Sequence, residues 1–209
     1  MNKFAIILGE PNSINSEILA KSKAKSYPCI VIGSYNLIEA QLKILKIRLK
    51  IKRQGLNQKQ IKKGLNILDV PLKFKSPFKV NPKESRIYLK KCFDIAHKLS
   101  LEGKIRGFIN CPIDKKNFFN EKSGGITEYL AKKNNIYQNE VMLIYNKKCS
   151  VAPLTTHIKL KNVSKSLKKE ILKKKLITLN NFYFKYFKIK PKIAVLGLNP
   201  HNLEMKKDE

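Results

Sequence analysis

The sequence has little negative charge and almost no arginine. Of its 209 residues only 15 are Asp or Glu, against 44 Lys or Arg, for a formal net charge of +29. Four of those cations are arginines: Arg48, Arg53, Arg86 and Arg106. The planar guanidinium fork is what reads phosphates and base edges bidentately. A lysine-only excess instead suits solvated helix faces and the codon bias of AT-rich coding. No aromatic stacking motif or helix-turn-helix signature accompanies it, so a basic nucleic-acid-binding module is the least favoured reading. The charge still favours solubility and weak attraction to phosphorylated metabolites. Long apolar runs are also missing, so no membrane span is expected. The first ten residues, MNKFAIILGE, are too short and too soon interrupted for a secretory leader, which points to the cytoplasm. The four cysteines, Cys29, Cys92, Cys111 and Cys149, include no C-x-x-C pair, and none stands at zinc spacing from a histidine. Buried free thiols are expected rather than disulfides or metal ligands.

At 43% hydrophobic the chain has enough apolar surface for a core, arranged as one large domain or two small ones. Short apolar runs alternate with helical patterns, which predicts an α/β fold with a largely parallel sheet. Phe4–Leu8, Cys29–Ile32 and Gly107–Asn110 read as buried strands, and Arg48–Lys52 and Asn66–Phe74 as weaker ones. Helices are expected at Ile14–Lys21, Tyr35–Leu45 and Glu84–Leu101, the last with Pro82 in its first turn and Ile87, Cys92, Ala96 and Leu99 inward. Further on, Val141–Tyr145, Ser150–Thr155 and Ile193–Gly197 read as strands, Thr127–Lys133 as a helix, and Val163–Phe187 as a helix broken near Ser166. Ile193–Leu196 is apolar on both faces, like a central parallel strand. After the strand only the largely polar Asn199–Glu209 remains, with no crossover helix to cover it, so the fold is expected to be incomplete at its C-terminal side.

Three histidines are present. His97 lies within an amphipathic helix and reads as a partly packed surface residue. His157 and His201 each stand just past an expected strand, where open α/β sheets bind ligands. Two imidazoles there are candidate ligands for a divalent metal, or polar caps of their loops.

Several segments carry a resemblance to a known family. They are Ile7-Leu8-Gly9-Glu10-Pro11, Asn110-Cys111-Pro112-Ile113-Asp114-Lys115, Gly125-Ile126-Thr127-Glu128, Leu154-Thr155-Thr156-His157 and Gly197-Leu198-Asn199-Pro200-His201. In order and spacing they resemble the strand-turn opening, T-x-P-[IV]-[NH]-K, G-H-T-E, T-T-H and G-L-N-P-H signatures of the 4-hydroxythreonine-4-phosphate dehydrogenases. Residues 1–209 would then be a partial region of that family, its N-terminal and middle parts. The resemblance implies α/β/α layers like those of isocitrate and isopropylmalate dehydrogenases. It implies oxidation, then decarboxylation, of 4-phosphooxy-L-threonine in pyridoxal phosphate (vitamin B6) biosynthesis, with NAD or NADP. It also implies a divalent metal (Zn, Mg or Co), which would act as a Lewis acid on the substrate oxygen, and a homodimer with the site at its interface.

The implied residues follow position by position. His157 and His201 match two of the three metal ligands, and the third belongs to a Y-H-D-Q motif that would lie beyond Glu209. Thr127 matches the substrate-binding threonine, whereas Ile126 stands where the family has histidine and offers no hydrogen bond. Lys115 is a candidate for the substrate's phosphate or carboxylate, with Asp114 beside it expected to weaken anion binding. Asn12-Ser13-Ile14-Asn15-Ser16-Glu17 replaces A-G-I-G-P-E, and the lost glycines are expected to close a backbone approach. The alternatives are a truncated, non-catalytic remnant, a fragment of a split gene, and a four-carbon sugar-acid phosphate dehydrogenase.

Overall fold

A computed structural model describes residues 4–22, 26–27, 29–55, 64–119, 125–136, 139–156 and 158–198. The chain divides into two compact units, Met1–Ser123 and Gly124–Glu209.

In the first unit five strands form one sheet: β1 (Phe4–Ile7), β2 (Cys29–Gly33), β3 (Ile51–Arg53), β4 (Leu65–Asp69) and β5 (Phe108–Asn110). Their order is β3-β4-β2-β1-β5, and every pairing is parallel. The helices are α1 (Asn15–Lys21), α2 (Tyr35–Ile44), α3 (Pro82–Leu101) and α4 (Lys115–Phe118). All five residues of β2 are buried. Successive strand side chains point to opposite faces, so β2 must be covered on both. Leu19, Ala20, Leu37, Ile38 and Leu42 of α1 and α2 cluster with Val31, Leu65 and Ile67. The buried stripe of α3 is Ser85, Tyr88, Leu89, Cys92, Phe93, Ala96 and Leu99, at three- and four-residue steps. Its Phe93 meets Phe108 of β5 edge-on at 6.2 Å between ring centroids. Ile87, expected inward, is 41% exposed, because the stripe turns through Tyr88 and Leu89 instead.

Local chemistry explains the boundaries. Ser34 caps α2 by accepting the Leu37 N–H at 3.3 Å. Asn81 caps α3, with Pro82 following at its first position. The end of α3 is a Schellman turn: Gly103 has φ 66°, its N–H donates to Ser100 O, and the Lys104 N–H donates to Leu99 O. The expected strand at Asn66–Phe74 stops at Asp69, just before Pro71, which has no N–H for a ladder.

The second unit contains α5 (Ile126–Lys133), α6 (Val163–Ser166) and α7 (Lys169–Phe182), with a π-helical turn at Tyr183–Phe187. The break near Ser166 is present, since Leu167 and Lys168 are extended. The three strands expected here do not form. Val141–Tyr145 and Ser150–Thr155 keep one antiparallel bridge, Ile144 with Val151. Ile193–Gly197 joins no ladder among the described residues, and Leu196 is 88% exposed. Strand composition alone does not make a strand; it needs a neighbour to pair with. Among the described residues no helix is long and apolar enough to cross a membrane.

Candidate active site

The sheet order locates a crevice in the first unit. From β1 the chain passes through α1 to β2 on one side, and later returns through α3 to β5 on the other. The carboxyl end of β1 is therefore the topological switch point, where open parallel sheets receive ligands.

Three loops meet there: residues 9–15 after β1, residues 77–85 entering α3, and residues 111–114 after β5. Polar side chains lace them together. Asn12 exchanges two bonds with the Val80 backbone: Nδ2 donates to Val80 O (2.8 Å), and Oδ1 accepts the Val80 N–H (2.7 Å). Gln41 Nε2 donates to Pro11 O and Pro77 O, both at 2.7 Å. Ser85, fully buried on α3, donates to Glu10 Oε1 at 2.9 Å. Asn15 Nδ2 donates to Pro112 O at 2.9 Å and to Glu10 O at 3.4 Å. Gly9, at φ 81°, permits the closest backbone approach; a Cβ on it would stand 2.5 Å from Pro112 O. Among the described residues Glu10 Oε2 and Ser16 Oγ are buried without a hydrogen-bond partner.

The sequence-expected residues are spread over both units. Lys115 opens the four-residue α4 of the first unit with an exposed side chain. Its neighbour Asp114 caps that helix, accepting the Asn117 N–H at 3.0 Å, so its carboxylate has a structural task. Cys111 is half-buried, and burial pushes its thiol up to about 11, which keeps it protonated and unreactive near neutral pH. Cys29 and Cys92 are buried free thiols as expected, but Cys149 is exposed, because its loop packs nothing over it. At the sheet's far edge Arg53 donates to Asp69 Oδ2 at 3.0 Å, bonds Asn36 Oδ1, and lies 4.1 Å over the Tyr35 ring. This cluster borders an open cleft of about 340 Å³.

In the second unit Thr127 lies half-buried in the first turn of α5, after Ile126. The next residue, Glu128, accepts the Thr156 hydroxyl at 3.2 Å through Oε1, while Oε2 is buried with no hydrogen-bond partner among the described residues. His157 and His201 lie outside the described residues. Among the described residues no three His, Cys, Asp or Glu side chains gather as a metal site.

Sequence reasoning found the Gly9-Glu10-Pro11 turn but missed Gln41 and Ser85. Both sit at inward positions of amphipathic helices, and a polar residue on an apolar stripe was the available signal.

The sequence model of the pyridoxal phosphate biosynthetic protein PdxA family matches residues 25–206. A curated relative from Sulfurihydrogenibium sp., named 4-hydroxythreonine-4-phosphate dehydrogenase, is 37% identical over 213 residues, covering 96% of this chain and 64% of its own length. One of the same name from Aquifex aeolicus is 32% identical, over 97% of this chain and 64% of its own. The chain thus spans just under two thirds of the relatives it matches. The crystal structure of 4-hydroxythreonine-4-phosphate dehydrogenase from Klebsiella pneumoniae superposes with a TM-score of 0.82 at 24% identity, over 98% of this chain and 66% of that one, which shows a shared fold. With the family match covering residues 25–206, well over half of the chain, the chain belongs to the PdxA family.

Proposed function

We propose that the chain carries the N-terminal and middle parts of a dehydrogenase acting on 4-phosphooxy-L-threonine in pyridoxal phosphate biosynthesis, with NAD or NADP as acceptor. One observation carries this reading: the family match over residues 25–206, joined to relatives that bear that enzyme's name. Thr127 would hydrogen-bond the substrate, and the Lys115 ammonium would pair with its phosphate or carboxylate. The donor chemistry fits a divalent metal, since neutral imidazoles suit zinc and cobalt well. His157 and His201 would hold it, and when bound it would polarise the substrate's hydroxyl oxygen. A homodimer belongs to the proposal and is supported by exposed apolar side chains of the second unit, among them Phe184, Tyr186 and Val195. A cytoplasmic setting is supported by the free cysteines.

The nucleotide fits less well. The close approach at Gly9 faces Pro112 O and the Asn15 amide, not open space. At the carboxyl end of β1 the Asn15 amide is bonded to Pro112 O and Glu10 O, so the chain's own hydrogen bonds occupy that corner. This observation, with the apolar Ile126, favours a second reading: a homologue that keeps the fold and has lost turnover.

Nicotinamide reduction by the purified protein, with 4-phosphooxy-L-threonine and added zinc, cobalt or magnesium, separates the two. Metal-dependent reduction supports the dehydrogenase. No rate above background in a folded protein removes it. Tight zinc binding lost on His157→Ala would argue against the second reading, and a four-carbon sugar-acid phosphate as the better substrate would shift the substrate assignment.

A further inference from the structure

We infer that Glu128 is a positioning residue: from the first turn of α5 it holds the segment Leu154–Thr156, and so sets how tightly the next residue in the chain, His157, binds a divalent metal. The inference rests on the proposal that His157 is a metal ligand, and the experiment below separates the two.

The segment that leads into His157 has little backbone to hold it. After the single bridge of Val151 with Ile144, no backbone–backbone hydrogen bond is found for residues 152–156 among the described residues. Such a segment shifts easily, so each bond that remains weighs on its position. Two side chains from different helices supply those bonds. Glu128 Oε1 of α5 accepts the Thr156 hydroxyl at 3.2 Å. Lys175 of α7 donates to Leu154 O at 3.1 Å and is half-buried, whereas Lys173 and Lys174 beside it are exposed.

Helix capping does not account for Glu128. It is the third residue after the N-cap Gly125, a position from which glutamate commonly turns back to the N-cap N–H. The carboxylate does fold back over the helix start, since a Cβ on Gly125 would collide with its Oε2. Yet Oε2 is buried and accepts no hydrogen bond among the described residues, and Oε1 bonds Thr156 instead. A buried carboxylate oxygen without a donor is unfavourable. The side chain is therefore placed for Thr156, at some expense to α5. Groups behind a metal ligand orient it, and their loss typically lowers metal affinity about 10–100-fold. Glu128 acts through the residue before the ligand, which puts the expected loss at the lower end, about tenfold.

The test measures zinc affinity of the full chain by calorimetry, beside circular dichroism and thermal melting. Thr156→Val removes the donor and Glu128→Ala the acceptor, and each should weaken zinc binding about tenfold. Thr156→Ser keeps a hydroxyl and Glu128→Gln keeps an acceptor oxygen, so both should stay close to the unmodified protein. The double variant Glu128→Ala/Thr156→Val should bind no more weakly than either single one, because both remove the same bond. Undiminished zinc affinity in folded Glu128→Ala and Thr156→Val overturns the inference and leaves His157 as a ligand. So does a loss in the double variant equal to the sum of the two, or a fall in melting temperature alone. Failure of both single variants to fold also overturns it, because the bond would then serve the fold. Zinc binding that is absent from the unmodified protein, or unchanged by His157→Ala, removes the metal proposal and this inference with it.

Discussion

Replacing Gly9 by alanine tests whether the crevice is built on a backbone contact that no side chain tolerates. Gly9 has φ 81°, in the left-handed region. An L-residue with a Cβ pays roughly 1–2 kcal/mol to sit there. The new Cβ would also stand 2.5 Å from Pro112 O and 2.9 Å from Cys111 O. Both atoms are backbone in the loop after β5, so the ends of two paired strands must part to relieve them. Comparable overpacking costs about 1–3 kcal/mol. The sum for Gly9→Ala is about 2–5 kcal/mol of lost stability. Gly103 supplies the control. Its φ is 66°, yet a Cβ there would meet nothing within 4 Å among the described residues. Gly103→Ala should therefore lose only the conformational part, roughly 1–2 kcal/mol. Urea denaturation of each variant, followed by circular dichroism, gives both numbers from the midpoint and slope. Equal losses in the two variants would refute the reasoning, because the contact with Pro112 would then carry no weight. Adding Asn15→Ala to Gly9→Ala should recover part of the loss, since it removes the third atom in the way, Asn15 Nδ2 at 2.6 Å.

Other outcomes follow from burial and from the family pattern. A thiol reagent under native conditions should label Cys149 rapidly and Cys29, Cys92 and Cys111 slowly; fast loss of a second thiol would contradict the burial. Burial raises the Cys92 thiol from 9.0 to about 12. The folded state therefore holds a proton that the unfolded chain releases above pH 9, so this part of the stability is complete below pH 9 and falls as pH rises toward 12. The slope is about 1.4 kcal/mol per pH unit for one group, and Cys92→Ala should flatten the alkaline limb of a denaturation series by that one proton. Ile126→His restores the imidazole that the family pattern places there. It should tighten binding of 4-phosphooxy-L-threonine by an order of magnitude, as one charge-assisted hydrogen bond is worth about 1.5–3 kcal/mol; unchanged calorimetric affinity would remove position 126 from the substrate site.

The first unit was legible because its signals are local and agree. Cys29–Ile32 is apolar at every position, and β2 is buried at every position. Pro82 and the residues after it mark a helix start, and α3 begins there. Ile193–Gly197 reads just as strongly as a strand and forms none among the described residues. What decides between these cases is a neighbouring strand, and no local pattern encodes that. The loops after β1 and β5 were legible at the level of motif, in Gly9-Glu10-Pro11 and the segment from Asn110 to Lys115. They were not legible at the level of partners. That Gln41 bridges two proline carbonyls, or that Ser85 reaches Glu10, depends on which loops the sheet order brings together. Asp114 shows the difference: as a charge it read as hindering an anion, and in place it caps α4.

The bonds at the end of β1 add stability without drawing on the apolar core, which explains how a chain can vary in this loop and keep its family's fold. The fold rests on apolar stripes such as Leu37, Ile38 and Leu42 of α2, which no substitution in the loop after β1 touches. Placing Asn at position 15 adds two hydrogen bonds across the ends of β1 and β5, each worth about 1 kcal/mol net. That gain is available to any chain at no expense to its core. Both carbonyls also receive other donors of the chain, Pro112 O the Glu10 N–H at 3.0 Å and Glu10 O the Ser13 hydroxyl at 2.7 Å, so losing the Asn15 amide leaves neither acceptor bare.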